Sequence, residues 1–256
     1  MIYFLSDIHL GAAYMPDRKA HEAKVVAFLQ SIEQDAGRLY LLGDILDYWF
    51  EYRDVVPRGY VRFFGQLARM ADRGTEIVWF TGNHDIWLFD YLRDEIGITV
   101  VDTPAGGIPV DIDGTRFFLG HGDNFGRQPR SYTFLRALFH NRLCQRLYAS
   151  LHPRWTIPFA HGWSAHSRLA SAPSPSVPAI SPRARAAVET FARSLADADP
   201  ALRYIIIGHH HLPLAEQISP DCRLVILGNW IDRATYASFD GKEVKLHEYD
   251  RPADTK

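Results

Sequence analysis

Five short polar clusters carry side chains of the types that bind metal ions. They are Asp7-Ile8-His9, Gly43-Asp44-Ile45-Leu46-Asp47, Gly82-Asn83-His84-Asp85, Gly120-His121-Gly122-Asp123 and Gly208-His209-His210-His211. Six of the chain's twelve histidines fall within them. At the end of an extended segment, Asp-x-His and His-x-His put alternate side chains on one side of the chain, so both members of each pair can face one ion. Each cluster taken alone has an ordinary structural reading. Asp-x-His is often surface polarity, His84 fits a hydrogen-bonded structural histidine, and Asn83 and Asp85 fit a turn, because Gly-Asn is turn chemistry. Five such clusters in order, each after an apolar run, are not what loop ends drawn at random would carry. Imidazole, carboxylate and amide oxygen without thiolate suit manganese, iron or zinc. Two such ions side by side activate water and clamp the oxygens of an in-line displacement at phosphorus.

The elements that must present these clusters are legible in the apolar pattern. Ile2–Leu5, Leu39–Leu42 and Ile77–Phe80 are compact apolar runs that predict buried strands, while His21–Gln34 and Tyr60–Ala71 show the three- and four-residue spacing of amphipathic helices. Strands alternating with helices predict an α/β fold, and α/β folds place functional groups at the carboxyl ends of their strands. Further strands are predicted at Ile108–Ile112, Arg116–Leu119, Tyr204–Ile207, Leu224–Leu227, Tyr236–Phe239 and Val244–Tyr249. Asp113-Gly114 and Asp240-Gly241 are hairpin signals, so part of the second half is antiparallel. No internal repeat is present. The opening MIYFLSD lacks a basic n-region and reads as a first strand, not as a secretion signal.

A length of 256 residues fits a single domain, 1–256, and 47% hydrophobic with 23% charged residues excludes wholesale disorder. Two cysteines, Cys144 and Cys222, make a disulfide framework improbable and fit a reducing cytoplasm. No stretch of about 18 uncharged apolar residues predicts a transmembrane helix. The net charge of −2 hides an asymmetry: Asn124 to Val188 contains nine arginines and no acid, which leaves the remainder at −11. Within that stretch Phe134, Leu135, Leu138, Phe139, Leu143, Leu147 and Leu151 follow helical spacing, and Trp155, Phe159 and Trp163 come next. Residues 125–170 therefore read as a helical insertion, followed by a Pro/Ser-rich linker at Ser171–Pro182.

The ordered set of clusters, running from Asp7 to His211, resembles the calcineurin-like metallophosphoesterases. That resemblance implies a four-layer α/β/β/α sandwich with the insertion as a helical lid, and two divalent ions, manganese above all. By motif match it implies Asp7, His9 and His211 as ligands of one ion and Asn83, His121 and His209 as ligands of the other. Asp44 matches the bridging carboxylate, and His210 is expected to point away. His84 and Asp85 match catalytic positions, with Asp47 and Asp85 also suited to orienting the ligands from behind. Asn83, His84 and His209 match substrate contacts, joined by Ser164 and Arg168 after the aromatic end of the insertion. Within the family, Tyr48-Trp49-Phe50, Leu227–Trp230 and the Arg-bearing insertion resemble enzymes of the lipid A pathway that hydrolyse UDP-2,3-diacylglucosamine to UMP and 2,3-diacylglucosamine 1-phosphate. That branch implies a lipid-linked nucleotide sugar as substrate and peripheral attachment at the cytoplasmic face of the inner membrane, with no obligate protein partner. One departure is His84, where that branch often carries arginine. Two other readings stand beside it: a soluble metallophosphatase or phosphodiesterase acting on nucleotides or nucleic acid, and a non-enzymatic scaffold. The full ligand set argues against a scaffold, and the Leu/Phe stripe favours lipid over nucleic acid.

Overall fold

The apolar runs pair into two sheets. In the computed structural model, which describes all residues except 104–105, 126–129, 161, 163–180 and 251–256, β1 (Ile2–Leu5), β2 (Arg38–Leu42), β3 (Glu76–Phe80) and β4 (Thr99–Val101) lie parallel. β10 (Thr235–Phe239) and β11 (Val244–Glu248) extend that sheet antiparallel from β1, in the order β11-β10-β1-β2-β3-β4. The second sheet has the order β5-β6-β7-β9-β8, built from β5 (Ile108–Ile112), β6 (Thr115–Gly120), β7 (Leu202–Ile207), β8 (Pro213–Gln217) and β9 (Arg223–Leu227).

Side-chain alternation along each strand decides which face packs where. Phe4, Tyr40, Leu42, Val78 and Phe80 face Phe117, Leu119, Ile206, Val225 and Leu227 of the other sheet, forming the inner core. Tyr3, Leu5, Leu39, Leu41, Ile77 and Trp79 point outward beneath helices α1 (Arg18–Ile32) and α2 (Val61–Asp72), through Val25, Phe28, Phe63 and Met70. Ile205, Ile207, Leu224 and Ile226 are covered by Val188 and Ala192 of α6 (Pro182–Ala198). The result is the expected α/β/β/α sandwich. Strands buried on both faces read as unbroken apolar runs, which is why β1, β2 and β3 were visible in the sequence.

Both hairpin signals form turns. Asp113 and Gly114 take φ values of 50° and 81° between β5 and β6, and the Asp240 carboxylate accepts the amides of Lys242 and Glu243 between β10 and β11. Elements without a pattern signal were β4, β8, α3 (Tyr91–Ile96) and α6. β4 has three residues, β8 begins at a proline, and α6 buries little beyond Val188 and one alanine.

The 125–170 region is helical at α4 (Arg130–His140), at α5 (Arg142–Ala149) and over 153–160. Asn141 breaks the first two apart and caps α5, its side chain accepting the amides of Leu143 and Cys144. Much of the apolar stripe faces outward: Phe134, Leu143 and Leu147 are 71%, 64% and 61% exposed. What α4 presents to the body is mixed: Tyr132, Arg136 and His140 at four-residue spacing make polar contacts, and Phe139 packs edge-on against Trp87. Among the described residues no helix is long and apolar enough to cross a membrane.

Candidate metal centre

The five clusters converge on one end of the sandwich, at the carboxyl ends of β1, β2, β3, β6 and β7. Asp7 Oδ1 lies 3.2 Å from His211 Nε2 and 3.9 Å from His9 Nε2, and the two ring nitrogens are 3.3 Å apart. A second group gathers around His121 Nε2, which is 3.3 Å from His209 Nδ1 and 3.2 Å from Asn83 Oδ1. Asp44 Oδ2 stands between the groups, 3.8 Å from His9 Nε2 and 3.4 Å from His121 Nε2. All seven expected ligands thus meet, with Asp44 in the shared position.

These loops are held in conformations that an ordinary chain avoids. Asp7, His9, Asp44, His209 and His211 all have positive φ, between 51° and 65°. Such residues persist where the surroundings fix them, and they gather at functional sites. Much of the fixing comes from Asp85. Its carboxylate is fully buried and accepts hydrogen bonds from the amides of Gly82 (2.7 Å), Ile45 (2.9 Å) and Asp44 (3.2 Å) and from the Trp79 indole (3.2 Å). With its oxygens turned into the loop floor, Asp85 positions the Asp44 loop and does not reach the cleft. That corrects the expectation of a catalytic contact. Close approach adds the rest: a Cβ on Gly82 would stand 2.3 Å from Asp44 Oδ1, and one on Gly208 2.3 Å from Asp7 Oδ2.

The electrostatics suit cations. Burial alone would raise the pKa of Asp7, but the hydrogen bond and charge of His211 outweigh it and hold it at about 2. Asp44 is likewise opposed by burial yet held well below the carboxylate range by His121 and His84. Burial works against a charge on His121, but Asp44 raises its pKa well above the ordinary value. Burial pushes His209 down to about 3, with His121 adding to the effect. His121 Nδ1 must donate to the Leu42 carbonyl (2.9 Å), since a carbonyl only accepts, so in the neutral ring the Nε2 lone pair is aimed at Asp44 and Asn83. No arginine or lysine pairs with Asp7 or Asp44 among the described residues. Two buried carboxylates, an amide oxygen and four imidazoles that converge at 3.2–3.9 Å are a donor set suited to divalent ions. The residues therefore fit a divalent metal site.

His84 stands at the rim. Its amide donates to Asp44 Oδ1 (2.8 Å), its Nδ1 donates to the Asp47 carbonyl (3.0 Å), and its ring packs edge-on 5.1 Å from that of His9. With His9 and Asp44, His84 forms a third group of converging donors, beside Asp7-His9-His211 and Asp44-His121-His209, and His210 belongs to none of the three. Ser164 and Arg168 lie outside the described residues. Sequence reasoning missed the contacts that seat the insertion beside the centre. Asp123, two residues after His121, accepts from Tyr132 Oη (2.8 Å) and pairs with Arg136, whose other nitrogen donates to the Thr103 carbonyl (3.1 Å). Trp87 donates to the Phe139 carbonyl (3.0 Å) and stacks on Tyr148, while Tyr48 and Phe50 pack with the same ring. The Tyr48-Trp49-Phe50 run was a signal for this cluster, although Trp49 turns into the core.

A family model, calcineurin-like phosphoesterase, matches residues 1–213. Among curated relatives, UDP-2,3-diacylglucosamine hydrolase of Porphyromonas gingivalis (strain ATCC BAA-308 / W83) is 40% identical over 255 residues, covering 96% of each chain. The protein of the same name from Ralstonia nicotianae (strain ATCC BAA-1114 / GMI1000) is 28% identical over 232 residues, covering 90% of this chain and 83% of its own. A solved structure of an archaeal phosphodiesterase is similar at 15% identity and a TM-score of 0.47, covering 97% of this chain and 99% of that one.

Proposed function

The chain belongs to the calcineurin-like phosphoesterases, and from that premise we propose that it hydrolyses the pyrophosphate bond of UDP-2,3-diacylglucosamine, releasing UMP and 2,3-diacylglucosamine 1-phosphate. The observation that carries this reading is the 40% identity to the P. gingivalis hydrolase, which extends over 96% of both chains and so includes the insertion as well as the metal clusters. Asp7, His9 and His211 hold one divalent ion, Asn83, His121 and His209 the other, and Asp44 serves both. We assign manganese, which this nitrogen and oxygen donor set suits. Bound there, the ions supply activated water and neutralise charge on the phosphoryl oxygens.

The chain's own groups do the rest. The rigid loops under Asp44 and Asp7 fix the donors before substrate arrives, so little reorganisation is needed during the reaction. His84 donates from Nδ1 to the Asp47 carbonyl, which leaves Nε2 for the scissile diphosphate, where the ring would donate as the imidazolium. The leaving group is a phosphomonoester and needs little protonation, so a cation at His84 suffices; this accommodates histidine where related enzymes often carry arginine. Asn83 and His209, beside the second ion, are placed to touch the same phosphate. Ser164 and Arg168 remain proposed substrate contacts.

Residues 125–170 act as a lid within the single domain. Their exposed Phe134, Leu143 and Leu147 offer apolar surface, and their arginines meet no acid in the stretch. An acylated nucleotide sugar needs both: each buried CH₂ stabilises binding by about 0.8 kcal/mol, whereas a screened surface charge pair contributes about 0–1 kcal/mol. The same features support peripheral attachment to the cytoplasmic face of the inner membrane. The test is a substrate panel with manganese-loaded protein: UDP-diacylglucosamine over a series of acyl lengths, dinucleoside polyphosphates, cyclic nucleotides and single-stranded DNA. Leu138→Asp and Leu147→Asp should raise KM for the long-chain substrate far more than for a chain-free diphosphate. Equal efficiency on long-chain and chain-free substrates, untouched by these variants, would move a soluble nucleotide phosphatase into first place.

A further inference from the structure

Asp7 and His9 both sit at positive φ, 51° and 52°, with Ile8 fully buried between them. A segment so strained keeps its shape only if its polar groups are claimed, and its three carbonyls are claimed one by one. The Trp230 amide donates to the Asp7 carbonyl (3.1 Å) and the Ala12 amide to that of His9 (3.2 Å). The Ile8 carbonyl is taken by a side chain: His21 Nε2, at 2.7 Å, from the first turn of α1. The contact is buried, His21 being 7% exposed, so water does not replace it. Because a carbonyl only accepts, the proton is on Nε2. His21 belongs to none of the five clusters, and it reaches the centre from a helix whose other buried residues, Val25, Phe28, Leu29 and Ile32, pack the core.

We propose that His21 is a positioning residue for the first ion: by fixing the Ile8 carbonyl it holds Asp7 and His9 in the backbone conformation that aims both at His211. The proposal rests on the two-ion reading above. It further states that the effect falls mainly on that ion, because the loops that carry Asn83 and His121 are held by other groups and His209 meets the segment only through the Asp7 carboxylate, which accepts its amide at 2.9 Å. Those groups are Asp85 under the Asp44 loop and Leu42 on His121, whose own carbonyl accepts the Gly208 amide at 2.9 Å just before His209.

The test is manganese titration of the metal-stripped full chain, followed calorimetrically and by the spectrum of free Mn²⁺. The variants are His21→Leu, which fills the space without a donor, and His21→Gln, whose amide donates from nearly the same place. Wild type should take up two ions. In His21→Leu one ion should bind about 10–100-fold more weakly, the usual effect of removing a group that orients a ligand, with the other affected far less. The isotherm should resemble that of His9→Ala and not that of His121→Ala, and His21→Gln should restore wild-type binding. If His21→Leu cannot be purified folded, His21→Asn, whose amide is too short to span the contact, takes its place. A lower melting temperature with both affinities intact would make His21 merely structural and overturn the proposal. So would equal loss of both ions, or a His21→Gln variant no better than His21→Leu. A wild type that takes up no manganese would instead overturn the two-ion reading itself.

Discussion

Gly82→Ala isolates one steric contact at the centre. Gly82 is not at positive φ, so the backbone accepts alanine and only the added carbon acts. That carbon would lie 2.3 Å from Asp44 Oδ1 and 2.4 Å from the Asp44 amide nitrogen. Relaxing to van der Waals separation requires Asp44 to retreat by about 1 Å. It has little freedom to do so, because its amide and that of Ile45 are tied to Asp85 and its Oδ1 to the His84 amide. The overpacking should cost about 1–3 kcal/mol of stability. Since Asp44 Oδ2 lies 3.8 Å from His9 and 3.4 Å from His121, one displacement harms both ion sites. A 1 Å misplacement in a reacting constellation costs about 10²-fold in rate. The assays are urea unfolding, manganese content and turnover of UDP-diacylglucosamine. Gly65→Ala is the control: nothing lies within 4 Å of its added carbon, it sits inside α2, and it should be stabilising by up to about 1 kcal/mol with activity unchanged. A Gly82→Ala enzyme with two ions and normal turnover would refute the view that Asp44 is fixed by close packing and shared between sites.

Three further outcomes are expected. Asp85→Asn turns an amide group toward backbone donors and should lower stability by at least about 1–3 kcal/mol, read from urea unfolding, with metal content falling as the Asp44 loop loosens. His84→Ala should lower kcat by about 10²–10⁴-fold with metal content near normal, whereas His84→Arg should keep much of the pyrophosphatase activity and little activity on an alkyl ester; an inactive His84→Arg with metals bound would contradict the fixed-charge role. His140 of α4 pairs with Asp102 (3.5 Å), which raises the pKa of the histidine and lowers that of the aspartate; a raised folded value gives stability that is full below the unfolded histidine pKa of about 6.5 and fades as pH rises through the folded one, while the aspartate's share fades as pH falls through its lowered value, so the melting-temperature gap between wild type and His140→Gln should be wide near pH 5.5 and close at alkaline pH.

Local signals were enough to find the polar clusters and their order along the chain. Asp7-x-His9, Asp44, Asn83-His84, His121 and His209-x-His211 each follow an apolar strand, and strand runs buried on both faces are read directly from composition. The turns at Asp113 and Asp240 were legible for the same reason, since their chemistry lies within two to four residues. What the sequence could not carry were the pairings that depend on distance in the chain. His21 with Ile8, Asp85 with the Asp44 loop, and Arg136 with Asp123 join residues 13, 41 and 13 positions apart, and no periodicity encodes which donor meets which acceptor. The apolar stripe of the insertion shows the limit most clearly. Spacing alone predicts a helix with an apolar face, and the default place for such a face is against the body. Tertiary structure splits the stripe: Tyr132, Arg136 and His140 dock α4 through polar contacts to Asp123, Thr103 and Asp102, Phe139 packs on Trp87 beside them, and Phe134, Leu143 and Leu147 are left outward. The physical reason is that the body supplies Asp123 and Asp102 to a helix whose own stretch of chain has no acid, and these draw Arg136 and His140 inward.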